Sequence, residues 1–273
     1  MTQAIQKKLN DSLWARWTAL ILVALTMFFG YMFVDVLSPL QNMLESSRGW
    51  SPTIFGLYGG SEFILNVCGF LLVAGIILDK MGVRFTGILS ASLMVLGAGI
   101  KFYGLSNYFY EGGFGYEFLN SFLTDIPASA KLACLGFMIF GCGTEMAGVT
   151  VSRAIVKWFT GKELALAMGL EMAIARLGVF AVFSLSPWVA NWGGDPSVAR
   201  PVAVVGLLLC IGLLTYIAFS VMDFKLDRQT EADTPIGETE EPFKVADLKN
   251  LFSSKTFLIV SALCVLYYSA IFP

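Results

Sequence analysis

The sequence contains no histidine, and only 14% of its 273 residues are charged. The lack of histidine removes the commonest metal ligand and the usual proton carrier near neutral pH, so any coupling to protons has to use carboxylates. Soluble domains carry roughly 25% charged residues. Because the shortfall here comes with long apolar runs and a mean hydropathy of +0.72, the composition predicts an integral membrane protein whose apolar surface is solvated by the lipid bilayer.

Cysteine usage and net charge narrow the function classes further. The cysteines are Cys68, Cys134, Cys142, Cys210 and Cys264, all in apolar runs and none in a C-x-x-C pair. This pattern indicates buried apolar side chains rather than a disulfide framework or a zinc site. The net charge of −2 gives no basic face for nucleic acid, and no glycine-rich phosphate loop follows a strand. We therefore expect no enzyme activity, no metal or other cofactor and no nucleic-acid partner.

Seven apolar segments are long enough to be membrane helices, which need about 20 apolar residues. They cover residues 15–38, 51–78, 84–105, 131–158, 164–192, 199–223 and 256–273. The predicted fold is an all-α membrane protein with a six-helix amino-terminal bundle at 1–224, a cytoplasmic linker at 225–255 and part of a seventh helix at 256–273. The linker is expected to begin as a disordered acidic stretch and to end in a short amphipathic helix on the membrane surface.

Positive charges predict the orientation, since cytoplasmic segments carry an excess of lysine and arginine. If the amino terminus is cytoplasmic, twelve basic residues fall inside and only Arg48, Lys101, Lys131 and Arg200 fall outside. The twelve are Lys7, Lys8, Arg16, Lys80, Arg84, Lys157, Lys162, Lys225, Arg228, Lys244, Lys249 and Lys255. With its short loops and no cleavage site after the first segment, the chain is predicted to lie in a bacterial cytoplasmic (inner) membrane.

The junction of the second and third segments reads GIILDKMGVR from Gly75 to Arg84. It resembles the major facilitator signature G-x-x-x-D-[RK]-x-G-x-[RK], with Val83 where a second basic residue is common. Gly75 would let helices approach closely, Asp79 would accept charged hydrogen bonds and Gly82 would permit a tight turn. The resemblance implies a gating role for Gly75, Asp79, Lys80, Gly82 and Arg84, and a second, carboxy-terminal lobe that this sequence lacks.

A second junction supports the same family. Residues 157–169 read KWFTGKELALAMG, which is similar to the branch that contains organic anion transporters and lysosomal dipeptide transporters. The runs MAIARLG at 172–178 and YYSAIFP at 267–273 favour the dipeptide side. The resemblance implies a secondary transporter that works by alternating access of two lobes.

The fourth and fifth segments each carry two ionisable residues well inside the membrane, where an unpaired charge costs roughly 2.5–3.5 kcal/mol and marks a functional site by default. Helix rise places Glu145 and Arg176 at one depth near the middle, and Arg153 and Glu171 at a shallower one. Each pair could be a structural ion pair in which the two charges neutralise each other, or it could be part of a functional site. We favour the structural reading for Arg153 and Glu171, with a conformational role, and substrate binding for Glu145 and Arg176.

Resemblance to the dipeptide branch implies that the fourth-helix glutamate binds an ammonium group and the fifth-helix arginine a carboxylate, which suits a zwitterion. Asp35 and Glu62 are further substrate-binding candidates. A solvated helix end is an alternative for Asp35, and Glu62, which has no obvious basic partner, is a candidate proton carrier. The aromatic candidates could line a substrate cavity, or they could serve only in helix packing. They are Tyr31, Tyr58 and Tyr268, together with the adjacent Tyr267.

The sequence thus predicts transport of a small carboxylate-bearing solute, with dipeptides or amino acids as the sharper hypothesis. An organic anion or organophosphate exchanger is an alternative, and it would need two central basic groups. A membrane scaffold or receptor that transports nothing is the alternative from another class, and it would not need the pair at Glu145 and Arg176. The expected partners are a small-molecule substrate, the bilayer and, as one option, protons.

Overall fold

A computed structural model of the chain describes residues 8–231 and 253–271. The chain forms two compact units, Met1–Thr234 and Pro235–Pro273. Every regular element among the described residues is helical, which confirms the predicted all-α membrane fold.

The first unit contains six long apolar helices, which we call spans 1 to 6. Spans 1, 4, 5 and 6 are Leu13–Val34, Ala128–Phe159, Leu164–Ala190 and Ala199–Glu231. Spans 2 and 3 share the nearly continuous helical run Pro52–Leu105 of 54 residues. At about 1.5 Å per residue this run is roughly 80 Å long, more than twice the hydrocarbon thickness of about 30 Å.

Gly82 divides that run, because its backbone has φ 75° and ψ 175° and turns the chain. This is the left-handed region of φ that favours glycine, as the sequence predicts for this position. Span 2 is therefore 52–81 and span 3 is 82–105. A π-helical turn, Asn66–Phe70, interrupts the middle of span 2, with Gly69 at φ 109°.

Short helices complete the unit at both ends of the spans. They are Leu9–Asp11, Ser38–Leu40, Gln41–Arg48, Asn107–Tyr110 and Tyr116–Asn120. The last two lie in the loop between spans 3 and 4, which is rich in exposed aromatic residues such as Phe114 and Phe118. Exposed aromatic rings of this kind are typical of a segment at a membrane interface.

Small residues bring the spans together. Span 1 packs against spans 5 and 6, span 4 packs against spans 2 and 3, and span 3 also contacts span 6. A Cβ atom on Gly97 of span 3 would lie 2.5 Å from the carbonyl oxygen of Gly136 on span 4, so only glycine allows this approach. Gly75 differs from the prediction, since a Cβ there would meet no atom within 4 Å; the close approach is not made within this unit.

Span 6 continues to Glu231, seven residues into the stretch predicted to be linker. The reason is packing and charge on one helical face, because Leu226 is buried and Asp223 and Asp227 bind cations of neighbouring spans. The second unit contains the helix Lys255–Ile271, where the sequence predicts a seventh helix. The predicted amphipathic helix and most of the acidic linker lie outside the described residues.

Candidate functional site

A cavity of 180 Å³ lies between spans 1, 4 and 5 of the first unit. It is lined by Met27, Tyr31, Gly148, Ser152, Glu171, Met172, Ala175 and Arg176. Its volume is below the roughly 300–1,000 Å³ of complete ligand sites. A charged residue inside a membrane bundle is expected to face such a cavity, and two of the predicted site residues, Glu171 and Arg176, do so.

Arg176 and Tyr31 form the basic side of the cavity. The guanidinium carbon of Arg176 lies 5.3 Å from the centre of the Tyr31 ring, within the range of a cation–π contact. Gly178, two residues after Arg176, lets span 5 approach span 1 closely enough for this contact. A Cβ atom at Gly178 would lie 2.3 Å from the carbonyl oxygen of Phe28 on span 1. Among the described residues no carboxylate lies within 4.0 Å of Arg176, so its planar donors remain available to a ligand.

Glu171 is buried in the wall of the same cavity, with 8% of its surface exposed. Among residues 8–231 it forms no ion pair, and in particular none with Arg153. Arg153 donates instead to the Asp79 carboxylate. The predicted pairing of Arg153 with Glu171 is therefore replaced, since helix rise gives the depth of a side chain but not the direction in which it points.

Glu145 is half-buried on span 4 and does not line this cavity. It shares a face of span 4 with Gly148 and Ser152, which follow it by three and seven residues and do line it. Within the described part of the chain no ion pair joins Glu145 to Arg176. The structure therefore does not bring the charged groups of this predicted pair into contact.

Lys101 is a charged residue that sequence reasoning counted only as an outer helix end. It is fully buried on span 3, and its Nζ lies 4.4 Å from the ring centres of Phe33 and Phe137 and 5.0 Å from that of Tyr58. The Nζ also donates a long hydrogen bond of 3.5 Å to the carbonyl oxygen of Phe33. The sequence did contain a signal for this burial, since Lys101 lies four residues before the end of its apolar segment. A lysine at that position can point into the bundle as well as towards water.

The surroundings of Lys101 change the interpretation of three candidates. Glu62, with 5% of its surface exposed, and Asp35 are both close enough to Lys101 for a long-range electrostatic interaction, although neither forms an ion pair with it among the described residues. Asp35 caps the end of span 1 and accepts a hydrogen bond from Ser38 Oγ at 3.0 Å. Tyr58 stacks on Phe137 in the core and does not line the cavity. The side chain of Tyr268 lies outside the described residues.

A network of ions joins spans 3, 4 and 6 at the end of the unit that carries the family signature. Asp223 is buried and accepts hydrogen bonds from Lys157 Nζ at 2.8 Å and Trp158 Nε1 at 3.0 Å. Asp227 lies 2.6 Å from Lys157 Nζ and 3.2 Å from the guanidinium of Arg84. The aspartates were missed, although their spacing of four residues at the end of an apolar run places them on one helix face. Lys80, the remaining signature cation, is exposed.

The amino-terminal segment is fixed to the same end of the bundle. Arg16 pairs with Glu163 at 3.2 Å, and Lys162 pairs with Asp11 at 3.0 Å. The hydrogen bond from Lys162, followed by that from the Lys8 amide, lowers the pKa of Asp11 below its ordinary value. These contacts tie the segment before span 1 to the turn between spans 4 and 5.

The family model of the Major Facilitator Superfamily matches residues 21–273. The lysosomal dipeptide transporter MFSD1 of Gallus gallus is 35% identical over 144 residues, which are 51% of this chain and 32% of that protein. MFSD1 of Pongo abelii is 26% identical over 270 residues, which are 94% of this chain and 52% of that protein.

A more distant relative, the solute carrier family 49 member 4 homolog of Xenopus tropicalis, is 27% identical over 203 residues, which are 72% of this chain and 37% of that protein. The chain therefore spans about half the length, or less, of the curated relatives that it matches. No solved structure matches the chain.

Proposed function

Because the chain belongs to the major facilitator superfamily, we propose that it carries a small carboxylate-bearing solute across the membrane by alternating access, with dipeptides or amino acids as its cargo. The observation that supports this proposal is the Arg176 guanidinium, which faces a cavity between spans 1, 4 and 5 and rests on the Tyr31 ring. A planar guanidinium binds a carboxylate through two parallel hydrogen bonds, which orients the solute as well as attracting it.

Carboxylates on the same side of the bundle supply the complementary charge for an ammonium group. Glu171 lines the cavity, and Glu145 lies one turn away from it on span 4. Glu62 interacts electrostatically with Glu145. A zwitterion such as a dipeptide would place its carboxylate at Arg176 and its ammonium towards these acids. The named function of the MFSD1 relatives supports this choice of cargo.

Gating is proposed to act at the opposite end from the aromatic loop. Arg153 binds Asp79, while Arg84 binds Asp227 and Asp223. These ion pairs hold spans 2, 3, 4 and 6 together next to the Gly82 turn, so a change there would alter how the unit meets a second lobe. Positive charge favours a cytoplasmic location for this end, in a membrane that we infer to be the bacterial cytoplasmic membrane.

Transport by the intact protein in proteoliposomes tests the proposal. Labelled dipeptides should accumulate in vesicles that contain the wild-type protein. Arg176→Lys should raise the half-saturating dipeptide concentration roughly 10- to 100-fold, because a single point charge replaces a guanidinium that makes two parallel hydrogen bonds. Arg228→Gln is the control, since this exposed arginine lies on a Phe224 ring at the far end of span 6. Absence of uptake for all dipeptides and amino acids would sink the proposal and favour a scaffold or receptor.

A thermal-shift screen separates the proposed cargo from an exchanger of organic anions or organophosphates. An exchanger would need a second central cation, but Lys101 is fully buried among aromatic rings and does not line the cavity. We therefore expect dipeptides with free amino and carboxyl ends to raise the melting temperature, and phosphate esters not to. Stabilisation by phosphate esters alone would favour the exchanger.

A further inference from the structure

A second, larger groove lies on the outer surface of span 3, away from the candidate substrate cavity. Its volume is 670 Å³, within the range of about 300–1,000 Å³ that holds small molecules. Its lining residues are Val95, Leu96, Gly99, Ile100, Tyr103, Phe114, Gly115, Phe118, Leu119 and Leu132. None of them is charged, and none takes part in the substrate site or in the ion network.

The groove lies on the membrane-facing side of span 3. Gly97, Lys101 and Gly104 form the buried face of this helix, and Leu96, Gly99 and Tyr103 project from the opposite face. Leu96 is 55% exposed, which is ordinary for a side chain in contact with lipid. From Tyr103 to Val95 the helix descends about 12 Å, so the groove runs from the end of the span into the hydrocarbon layer.

Aromatic residues of the loop between spans 3 and 4 form the upper wall. Phe114 and Phe118 are 89% and 71% exposed, and the Tyr103 hydroxyl donates to the carbonyl oxygen of Phe114 at 3.1 Å. Such rings mark the boundary between headgroups and hydrocarbon. The groove therefore has its open end at headgroup level and its floor beside the acyl chains.

Lys131 provides a positive charge next to the groove, in an adjoining pocket that shares Leu119 and Leu132 with it. Its Nζ donates to the carbonyl oxygens of Leu119, at 2.6 Å, and Phe122, and Leu119 belongs to the groove wall. The Nζ also lies 4.7 Å from the centre of the Phe122 ring, and an ammonium has three donors. Among the described residues no carboxylate lies within 4.0 Å of Lys131, so its charge is available to an anion.

We propose that this groove binds a phospholipid, with one acyl chain along Leu96, Gly99 and Leu132 and the phosphate beside Lys131. The apolar lining matches a hydrocarbon chain, and the lysine at headgroup level matches the charge of the phosphate. Bound in this way, the lipid fixes the aromatic loop against span 3.

Gly99 allows the groove to be filled without disturbing the fold. A Cβ atom at Gly99 would meet no atom within 4 Å, so a leucine side chain there would occupy the space of the acyl chain. Ser92 is the matched control, because it is exposed on the same helix face seven residues deeper and lies outside the groove. Its hydroxyl donates a hydrogen bond to the carbonyl oxygen of Ile88 in its own helix.

Native mass spectrometry of the intact protein, released from nanodiscs of mixed phosphatidylglycerol and phosphatidylcholine, tests the proposal. The wild-type protein and Ser92→Leu should retain one phospholipid, with phosphatidylglycerol preferred. Gly99→Leu should lower the bound fraction clearly below that of Ser92→Leu, since its side chain takes the space in which the acyl chain would pack. Lys131→Gln should retain a lipid but lose the preference for phosphatidylglycerol.

Two results would overturn the proposal. One is equal lipid retention by Gly99→Leu and Ser92→Leu, which would place any bound lipid elsewhere. The other is a wild-type protein that carries no lipid but crosslinks through Phe114 or Phe118 to another membrane protein, which would make the groove a protein interface. Both readouts are independent of solute transport.

Discussion

The guanidinium of Arg176 stacks over the ring of Tyr31, with 5.3 Å between the guanidinium carbon and the ring centre. The donors of a guanidinium lie in its own plane, so contact with the ring face leaves them free to bind a carboxylate. The contact also couples span 5 to span 1, the two spans that Gly178 brings together. Tyr31 therefore orients the group that we propose to recognise the solute.

Replacing Tyr31 tests this orientation. A cation–π contact contributes about 0.5–1 kcal/mol at exposed sites, so Tyr31→Leu should weaken dipeptide binding roughly two- to fivefold. Tyr31→Phe keeps the ring face and should bind within about twofold of the wild type. Binding is measured by titration of the purified protein with a labelled dipeptide. Equal losses in both variants would show that the hydroxyl, rather than the ring, matters.

The ion pair between Arg153 and Asp79 should affect transport more than stability. Both side chains are well exposed, at 38% and 42%, so their pairing contributes only about 0–1 kcal/mol to folding. We expect Asp79→Asn to change the initial rate of uptake with little change in melting temperature. The double exchange Asp79→Arg with Arg153→Asp should recover part of the rate. An initial uptake rate that is unchanged in Asp79→Asn would show that this ion pair has no role in gating.

Asp223 should contribute far more to stability than Asp227, although both bind Lys157. Asp223 is 1% exposed and also accepts from Trp158, whereas Asp227 is 28% exposed. Breaking a buried pair costs about 3–5 kcal/mol, so Asp223→Asn should lower the melting temperature strongly. Asp227→Asn is the matched control and should cost about 1 kcal/mol or less. Similar melting temperatures for the two variants would contradict the buried network.

Hydropathy predicted the six spans because each coincides with a run of apolar residues long enough to cross the hydrocarbon layer. The Gly82 turn followed from the family signature, and its positive φ confirms it. Partners of individual charges could not be predicted in the same way. Spacing along a helix fixes depth, but the azimuth of Arg153, and hence its choice of Asp79 over Glu171, depends on how the spans pack.

The end of span 6 shows a related limit. Composition alone favoured an acidic linker from residue 225, but the helix continues because Asp223 and Asp227 meet Lys157 and Arg84. Such contacts join residues about 66 to 143 positions apart in sequence, and tertiary contacts of this kind override local propensity. For the candidate site, the sequence named Arg176, Glu171 and Tyr31 individually but not the cavity that unites them.

Lys101 and Glu62 provide the last prediction, which concerns buried charge. Lys101 is fully buried and Glu62 is 5% exposed, and the two interact electrostatically across spans 3 and 2. Lys101→Met keeps the length and the apolar contacts with Phe33 and Phe137, but it leaves Glu62 without that cation. Glu62→Gln leaves the ammonium without that carboxylate, so each single variant should lower the melting temperature.

The double variant, Lys101→Met with Glu62→Gln, removes both charges at once and should be more stable than the sum of the single changes predicts. Coupling energies between neighbouring groups are about 0.5–3 kcal/mol, and removing two interacting buried charges together leaves neither one unbalanced. Lys225→Met is the control, because that lysine is exposed on span 6. Strict additivity of the two changes would mean that Lys101 is held by its aromatic rings alone, and Glu62 would then be balanced by other groups.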